Sequence, residues 1–412
     1  MINATFDPPK PLSRYASVFR NCFTKRTFAS FVLYLSGVLL EHRRLSIQSI
    51  AAKLPLADYG RLQYFVSESK WSTNELNERR LAYIKGKRVL AATSDGDLII
   101  DDSACPKPYA LHTEAAVPQY AGIAKGVIRC HTFVAAVWAG PDHYFPVQIG
   151  TYRPESCLPR GKDDPNFRSK IQIAQELVTY AIEHDIPFRD VIFDSWYLGK
   201  GFLHFLHEKN LTWITEAKGT HLVSYRGKWV RTDELVKLIP SHKFDRTVAL
   251  PNHDGKERSF RIASFDTRLK FIKGKVRCIV AVGTWDERDE AGAHVFLTNR
   301  LSVPPDEIIR RFTRRWRIED VFKELKDFLS LDQYQVRSVK AVEHIWHLAL
   351  VAHTYLQSLR QEVIRLPSCQ RRLSLGDALA LHRSLNDERA ARWIRRNPDF
   401  FRLLRFTDAL VA

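Results

Sequence analysis

The sequence predicts an α/β chain: a layered core of strands and helices, interrupted by a β-rich insertion and bounded by helical regions at both ends. Three observations carry that expectation. Short apolar runs that stop at polar residues, Leu98-Ile99-Ile100 and Val191-Ile192-Phe193, read as buried strands. Residues 168–185 follow the first of them with apolar spacing near 3.6, as a core helix would. Residues 219–297 then switch to short alternating segments separated by polar turns, a β texture.

Taken in order, residues 1–88 read as a helical region. Its most apolar stretch, FASFVLYLSGVLL (28–40), is too short to span a bilayer and is closed by Glu41 and His42, so it reads as a buried helix. Residues 46–71 hold two short helices broken at Leu54-Pro55; a DNA-binding helix–turn–helix and a plain bundle both fit. Residues 89–218 form the first part of the core. A strand is expected to end at Asp101-Asp102, two more at 125–140 and 143–155 flank the turn Gly140-Pro141-Asp142, and a helix, a strand, a helix and a strand follow. The insertion occupies 219–297. The core resumes over 298–345 with helical periodicity, and 346–412 is a helical, arginine-dense basic region.

Composition narrows the partner. The chain has 412 residues, 45% hydrophobic, enough to bury a sizeable core. Lys and Arg total 63 against 46 Asp and Glu, a formal charge of +17, which favours a polyanion. Without a transmembrane run, nucleic acid is the expected polyanion and no membrane partner is expected. The six cysteines are scattered with no CxxC pair, so neither a zinc site nor a disulfide framework is expected, and the reduced thiols suit the cytoplasm.

Three acids stand out. Asp101 and Asp194 end buried strands, and Glu319 lies on a helix where Arg315, Glu319, Phe322 and Lys326 share one narrow sector. Each has a plain reading: a solvated strand end, an N-cap, and i,i+4 pairs of Glu319 with Arg315 and Lys323. Converging, three carboxylates would repel unless a cation neutralised them, and hard oxygen ligands suit Mg²⁺, with Mn²⁺ as a substitute. Two such ions can stabilise the entering and leaving oxygens of a phosphoryl displacement.

The residues around these acids resemble a known family, the cut-and-paste DDE transposases of bacterial insertion sequences that carry a β-rich insertion before the glutamate. That group has a Tyr-x2-Arg-x3-Glu-x6-Lys signature; here Phe312, Arg315, Glu319 and Lys326 stand at those spacings. The first motif, an apolar strand ending D-x-S, matches Asp101-Asp102-Ser103; the second matches Ile192-Phe193-Asp194-Ser195-Trp196-Tyr197. The likeness runs from Leu62–Trp71 to about residue 360, with Phe312 departing from the family tyrosine. It implies an RNase H-like catalytic core with Asp101, Asp194 and Glu319 as catalytic metal ligands for two ions; Asp102 is the alternative to Asp101, since strand alternation lets one of the adjacent pair face the metals.

The resemblance further implies that Arg315 and Lys326, with Lys323 and Arg314, hold DNA phosphates. Lys107 and Lys218, with Arg129, Arg160 and Lys162, are further candidates for a DNA path. His131 fits a core histidine or a phosphate contact, and Trp229 and Trp285 fit core aromatics or bases stacked on a distorted DNA end. The implied activity is binding of terminal inverted repeats, phosphodiester hydrolysis and strand transfer into target DNA by a homodimer or larger assembly on DNA, in the bacterial cytoplasm at the nucleoid. A transposase-derived DNA-binding protein without activity, and a nuclease of the same fold without strand transfer, are the competing readings.

Overall fold

The computed structural model describes residues 8–40, 46–54, 58–251, 257–283, 292–365 and 373–396. Contacts divide the chain into two units, one within Met1–Ala91, Cys105–Ala116 and Phe322–Ala412, the other within Ala92–Ala104 and Val117–Val321.

The second unit is built on a ten-stranded mixed sheet. Its early strands are β1 (Asp97–Pro106), β2 (Val117–Ala121), β3 (Gly126–Ala139) and β4 (Tyr144–Tyr152). Then come β5 (Val191–Phe193) and β6 (Trp213–Glu216), a separate ribbon of β7 (Leu222–Tyr225) and β8 (Lys228–Arg231), and β9 (Arg246–Pro251), β10 (Glu257–Thr267), β11 (Val276–Gly283) and β12 (Gly292–Thr298). The order across the sheet is β2-β3-β1-β5-β6-β12-β11-β10-β9, with β4 also pairing β3. At its centre β1, β5 and β6 run parallel, with Leu98, Ile99 and Ile100 beside Val191, Ile192 and Phe193. All six side chains are fully buried, which is why these strands read as unbroken apolar runs rather than alternating ones.

The helix Lys170–Glu183 is started by a Ser169/Gln172 capping box and packs on β3 and β4. Gly150 in β4 allows that approach: a Cβ there would lie 2.4 Å from Ile173 Cγ2. Lys170, at the start of this helix, is thereby carried to the carboxyl end of the apolar segment of β1.

One expectation is corrected, and two features are new. β1 does not stop at the aspartate pair but continues to Pro106, because its second half goes on pairing while its side chains are only half buried. β2 was not anticipated, its five residues being partly exposed. The strands of the insertion join the core sheet: β12 pairs antiparallel with β6, so β9–β12 extend it.

The first unit is helical. Its centre is the helix Val339–Ile364, buried on nearly every side from Val339 to Arg360, as expected for a helix surrounded by others. Lys25–Leu40, Tyr59–Ser67, Thr73–Lys85 and Leu375–Arg396 pack around it. Tyr15 donates to the Val351 carbonyl at 2.8 Å, and Trp71 stacks on His344 with ring centres 3.8 Å apart. Among the described residues no helix is long and apolar enough to cross a membrane.

Candidate active site

Each of the two central strands is framed by aspartates at the same spacing: Asp97-Leu-Ile-Ile-Asp101 in β1 and Asp190-Val-Ile-Phe-Asp194 around β5. Because Ile100 pairs with Phe193, Asp101 and Asp194 leave adjacent parallel strands at matching positions. Neighbouring strands lie about 4.8 Å apart, so the two carboxylates emerge side by side.

The amino-terminal pair is neutralised internally. Asp97 and Asp190 have no exposed surface. Arg311 pairs with Asp97 through Nη2 and with Asp190 through Nε at 2.9 Å. Arg300 Nε reaches Asp190 at 2.9 Å, and Arg314 Nη1 reaches Asp97 at 2.8 Å and donates to the Asp95 carbonyl at 2.6 Å. Buried carboxylates need such partners, since an unpaired charge without water costs several kcal/mol.

The carboxyl-terminal pair has a different setting. Arg315 Nη1 lies 3.3 Å from Asp101 Oδ2, and Arg315 Nη2 lies 3.1 Å from Glu319 Oε1. One guanidinium thus bridges the first strand's acid to the late glutamate. The late helix is not continuous: Pro305–Phe312 ends in a tight turn over Thr313–Arg315 before Trp316–Asp327 begins. Arg314 and Arg315, adjacent in that turn, serve opposite ends of the β1 apolar segment.

Burial pushes the Asp101 carboxyl up to about 7; Arg315 pulls it down, while Asp102 and Asp194 push it further up. Asp102 points elsewhere. Lys170 Nζ lies 2.7 Å from its Oδ2, and the Tyr197 hydroxyl donates to its Oδ1 at 3.2 Å. Burial and the nearby carboxylates hold that phenol well above its ordinary range, so it remains a donor. Asp194 caps the short turn Ser195–Tyr197 through its carbonyl, leaving its half-buried side chain with a weak 3.4 Å contact from Ser195 Oγ.

Phe312, where the resembled family has tyrosine, is buried with its ring 5.0 Å from Phe296. A hydroxyl placed there would need a partner inside the core.

The other expected site residues are dispersed. Lys323 is exposed and Lys326 half-buried further along the Trp316–Asp327 helix. Lys218 is exposed after β6, and Arg160 is exposed too. Lys162 pairs with Glu155 at 3.4 Å on the surface. Arg129 is half-buried and His131 is buried in β3. Lys107, in the helical unit, donates to the carbonyls of Asp332 and Tyr334 at 2.6 and 2.7 Å, and burial lowers it to about 8. Trp229 is 49% exposed on β8. Trp285 lies outside the described residues.

Sequence reasoning missed Lys170, whose link to Asp102 spans distant chain segments, and the Asp97–Asp190 pair. For the latter a signal existed, since an aspartate precedes each apolar run as well as ending it.

The acids offer hard carboxylate oxygens, the donor type that Mg²⁺ takes. In this conformation, however, no group of three or more His, Cys, Asp or Glu among the described residues is arranged to hold a metal ion. Arg315 instead bridges two of the three acids.

Comparison with known proteins places the chain in a family. Residues 18–231 match the family model described as DDE superfamily endonuclease, and residues 151–355 match the transposase DDE domain. Over 274 residues the chain is 26% identical to the probable transposase for insertion sequence element IS701 of Microchaete diplosiphon, an alignment covering 62% of this chain and 68% of that protein. With over half its length inside the first of these models, the chain belongs to the DDE superfamily of endonucleases and is a DDE transposase of the insertion-sequence kind.

Proposed function

We propose that this transposase carries out cut-and-paste transposition, with an RNase H-like core as its catalytic domain. The strand order supports that core: an antiparallel β4-β3 hairpin beside β1, followed by β5 and β6 parallel to β1. The observation that carries the reading is the arrangement of Asp101 and Asp194 just past the paired apolar segments of β1 and β5, with Glu319 tied to the first through Arg315.

Asp101, Asp194 and Glu319 are the residues that would hold Mg²⁺ or Mn²⁺, two ions per site. When bound, the ions supply charge neutralisation at the scissile phosphate and favour the deprotonated nucleophile. The chain's own part is to position. Asp102, held by Lys170 and Tyr197, fixes the end of the apolar segment next to Asp101. Arg315, released from Glu319, presents a planar fork suited to a phosphate, and Lys323 and Lys326 add point charges along the same helix. Water attacks first and frees a 3′-OH, which then attacks the opposite strand or target DNA. Two element ends cut in concert call for at least a homodimer on DNA.

The test is a cleavage assay on DNA carrying the element ends, comparing wild type with Glu319→Gln in Mg²⁺, Mn²⁺ or EDTA. Metal-dependent cuts and joined products that vanish in the variant, with DNA binding retained, are expected. Unchanged cleavage by the variant overturns the site, and nicks without joined products overturn strand transfer.

A further inference from the structure

A basic cavity in the sheet unit involves neither the acids nor the residues assigned to phosphate contact above. It is an open groove of about 1170 Å³. One wall is the helix Lys200–Glu208, which follows Asp194 and the Ser195–Tyr197 turn. Lys200, His204 and His207 line the groove from positions i, i+4 and i+7, one face of that helix. The opposite wall is the loop between β10 and β11, in the insertion, which contributes Lys270, Lys273 and Lys275 around Gly274. Gly274 has φ +99°, a backbone conformation that glycine adopts without strain, and it turns the loop so that both flanking lysines line the cleft.

The charge in this groove is uncompensated. Its lining contains no Asp or Glu. All four lysines are exposed, and none makes an ion pair or hydrogen bond among the described residues. His204 Nε2 does lie 3.2 Å from Glu208, which is outside the lining. Four ammonium groups facing one cleft repel each other, modestly in solvent, and that repulsion is relieved when a polyanion enters. Lysines are mobile point charges, suited to phosphate oxygens rather than to reading bases, and of the lining's Phe and Trp side chains Trp213 is buried and Phe271 half-buried.

We infer that this groove, formed by the helix after Asp194 and the β10–β11 loop, is a sequence-independent binding site for the phosphate backbone of duplex DNA. The inference rests on the reading of the chain as a DNA-cutting enzyme and adds a second anchoring point to it. The insertion then has a task that follows from its continuity with the core sheet: it holds a positively charged loop at a fixed distance from the helix that follows the second acid.

The test is fluorescence anisotropy of the full chain with a duplex of arbitrary sequence, and with a single strand of equal length, across a salt series. Wild type is compared with Lys270→Ala/Lys273→Ala/Lys275→Ala. The slope of log affinity against log salt on duplex is expected to fall by about 3, close to one per phosphate contact. Thermal unfolding should be unchanged, since the replaced side chains are exposed. Wild-type binding with an unaltered duplex slope in the variant overturns the groove while leaving the proposed function standing, and a loss confined to single strands overturns the duplex assignment. Failure of wild type to bind DNA even at low salt overturns the functional reading on which the groove depends.

Discussion

Arg315 holds Glu319 at 3.1 Å while its second terminal nitrogen lies 3.3 Å from Asp101. The guanidinium is therefore a cation shared by these two acids. If Asp101 and Glu319 hold a divalent ion, as proposed, they would have to release this guanidinium first, and its fork would then be free for a phosphate. On that proposal Arg315 serves the acids and the phosphate in turn, not together.

Arg315→Ala is accordingly expected to separate metal affinity from catalysis. Without the competing guanidinium, Mn²⁺ should bind more tightly, as read by the free-ion signal in electron paramagnetic resonance. Cleavage should fall by about 10²- to 10³-fold, the usual loss when a positioned donor is removed from developing charge. Arg315→Lys, with a point charge in place of the fork, should recover only part of the activity. Weaker Mn²⁺ binding in the alanine variant would show that Arg315 does not stand in the ion's place.

Asp101 and Asp102 are adjacent, yet the chain treats them differently. Asp101 faces Arg315, while Asp102 is occupied by Lys170 and Tyr197. Asp101→Asn is expected to abolish cleavage. Asp102→Asn keeps acceptor capacity for the tyrosine and should retain activity within about tenfold of wild type, with its loss expressed chiefly as lowered stability. The reverse ranking in a cleavage assay would make Asp102 the catalytic acid.

The raised Asp101 pKa gives a pH signature in the metal-free protein. Folded, this carboxyl titrates near 7, whereas an unfolded aspartate titrates near 3.9. Between those values the native state binds more protons than the unfolded state, so this group's contribution to stability falls as pH rises from about 4 to 7. In EDTA, the stability of wild type relative to Asp101→Asn should decline across that window and level off above it. A difference that is flat with pH, followed by chemical denaturation, contradicts the shift.

Much of this arrangement was legible in the sequence, and the limits have physical causes. Leu98-Ile99-Ile100 and Val191-Ile192-Phe193 announced themselves because strands buried on both faces must be apolar throughout. Asp101, Asp194 and Glu319 stood out as the acids that end or follow such elements. What sequence could not supply was partnership. Lys107 has the composition of a surface lysine, but two carbonyls more than two hundred residues away claim its ammonium group. Alternation in residues 219–297 marked strands without saying that β12 would join β6. The arginines of RRFTRRWR are indistinguishable by type, and their placement on the helical segment sends Arg314 to Asp97 and Arg315 to Asp101.

The buried cluster at the other end of the strands is expected to set the stability of the sheet unit rather than its chemistry. Arg311 is almost fully buried between two carboxylates that have no contact with solvent. Replacing it with methionine preserves much of the volume but leaves Asp97 to Arg314 and Asp190 to Arg300, each acid short of one partner. Removing one member of a buried charge pair costs roughly 3–5 kcal/mol, and the remaining arginines place this case at about 3. Asp97→Asn should cost less, since the amide needs no counter-charge. If the cluster acts as a unit, the double variant will be more stable than the sum of the single losses predicts, with a coupling of about 1–3 kcal/mol. Additive losses in denaturant unfolding would mean that the arginine and the aspartate stabilise the sheet independently. Because the same apolar segments lead into Asp101 and Asp194, a shift of their register in Arg311→Met should appear as reduced cleavage at temperatures well below unfolding, and restored activity in the double variant would tie the two ends of those segments together.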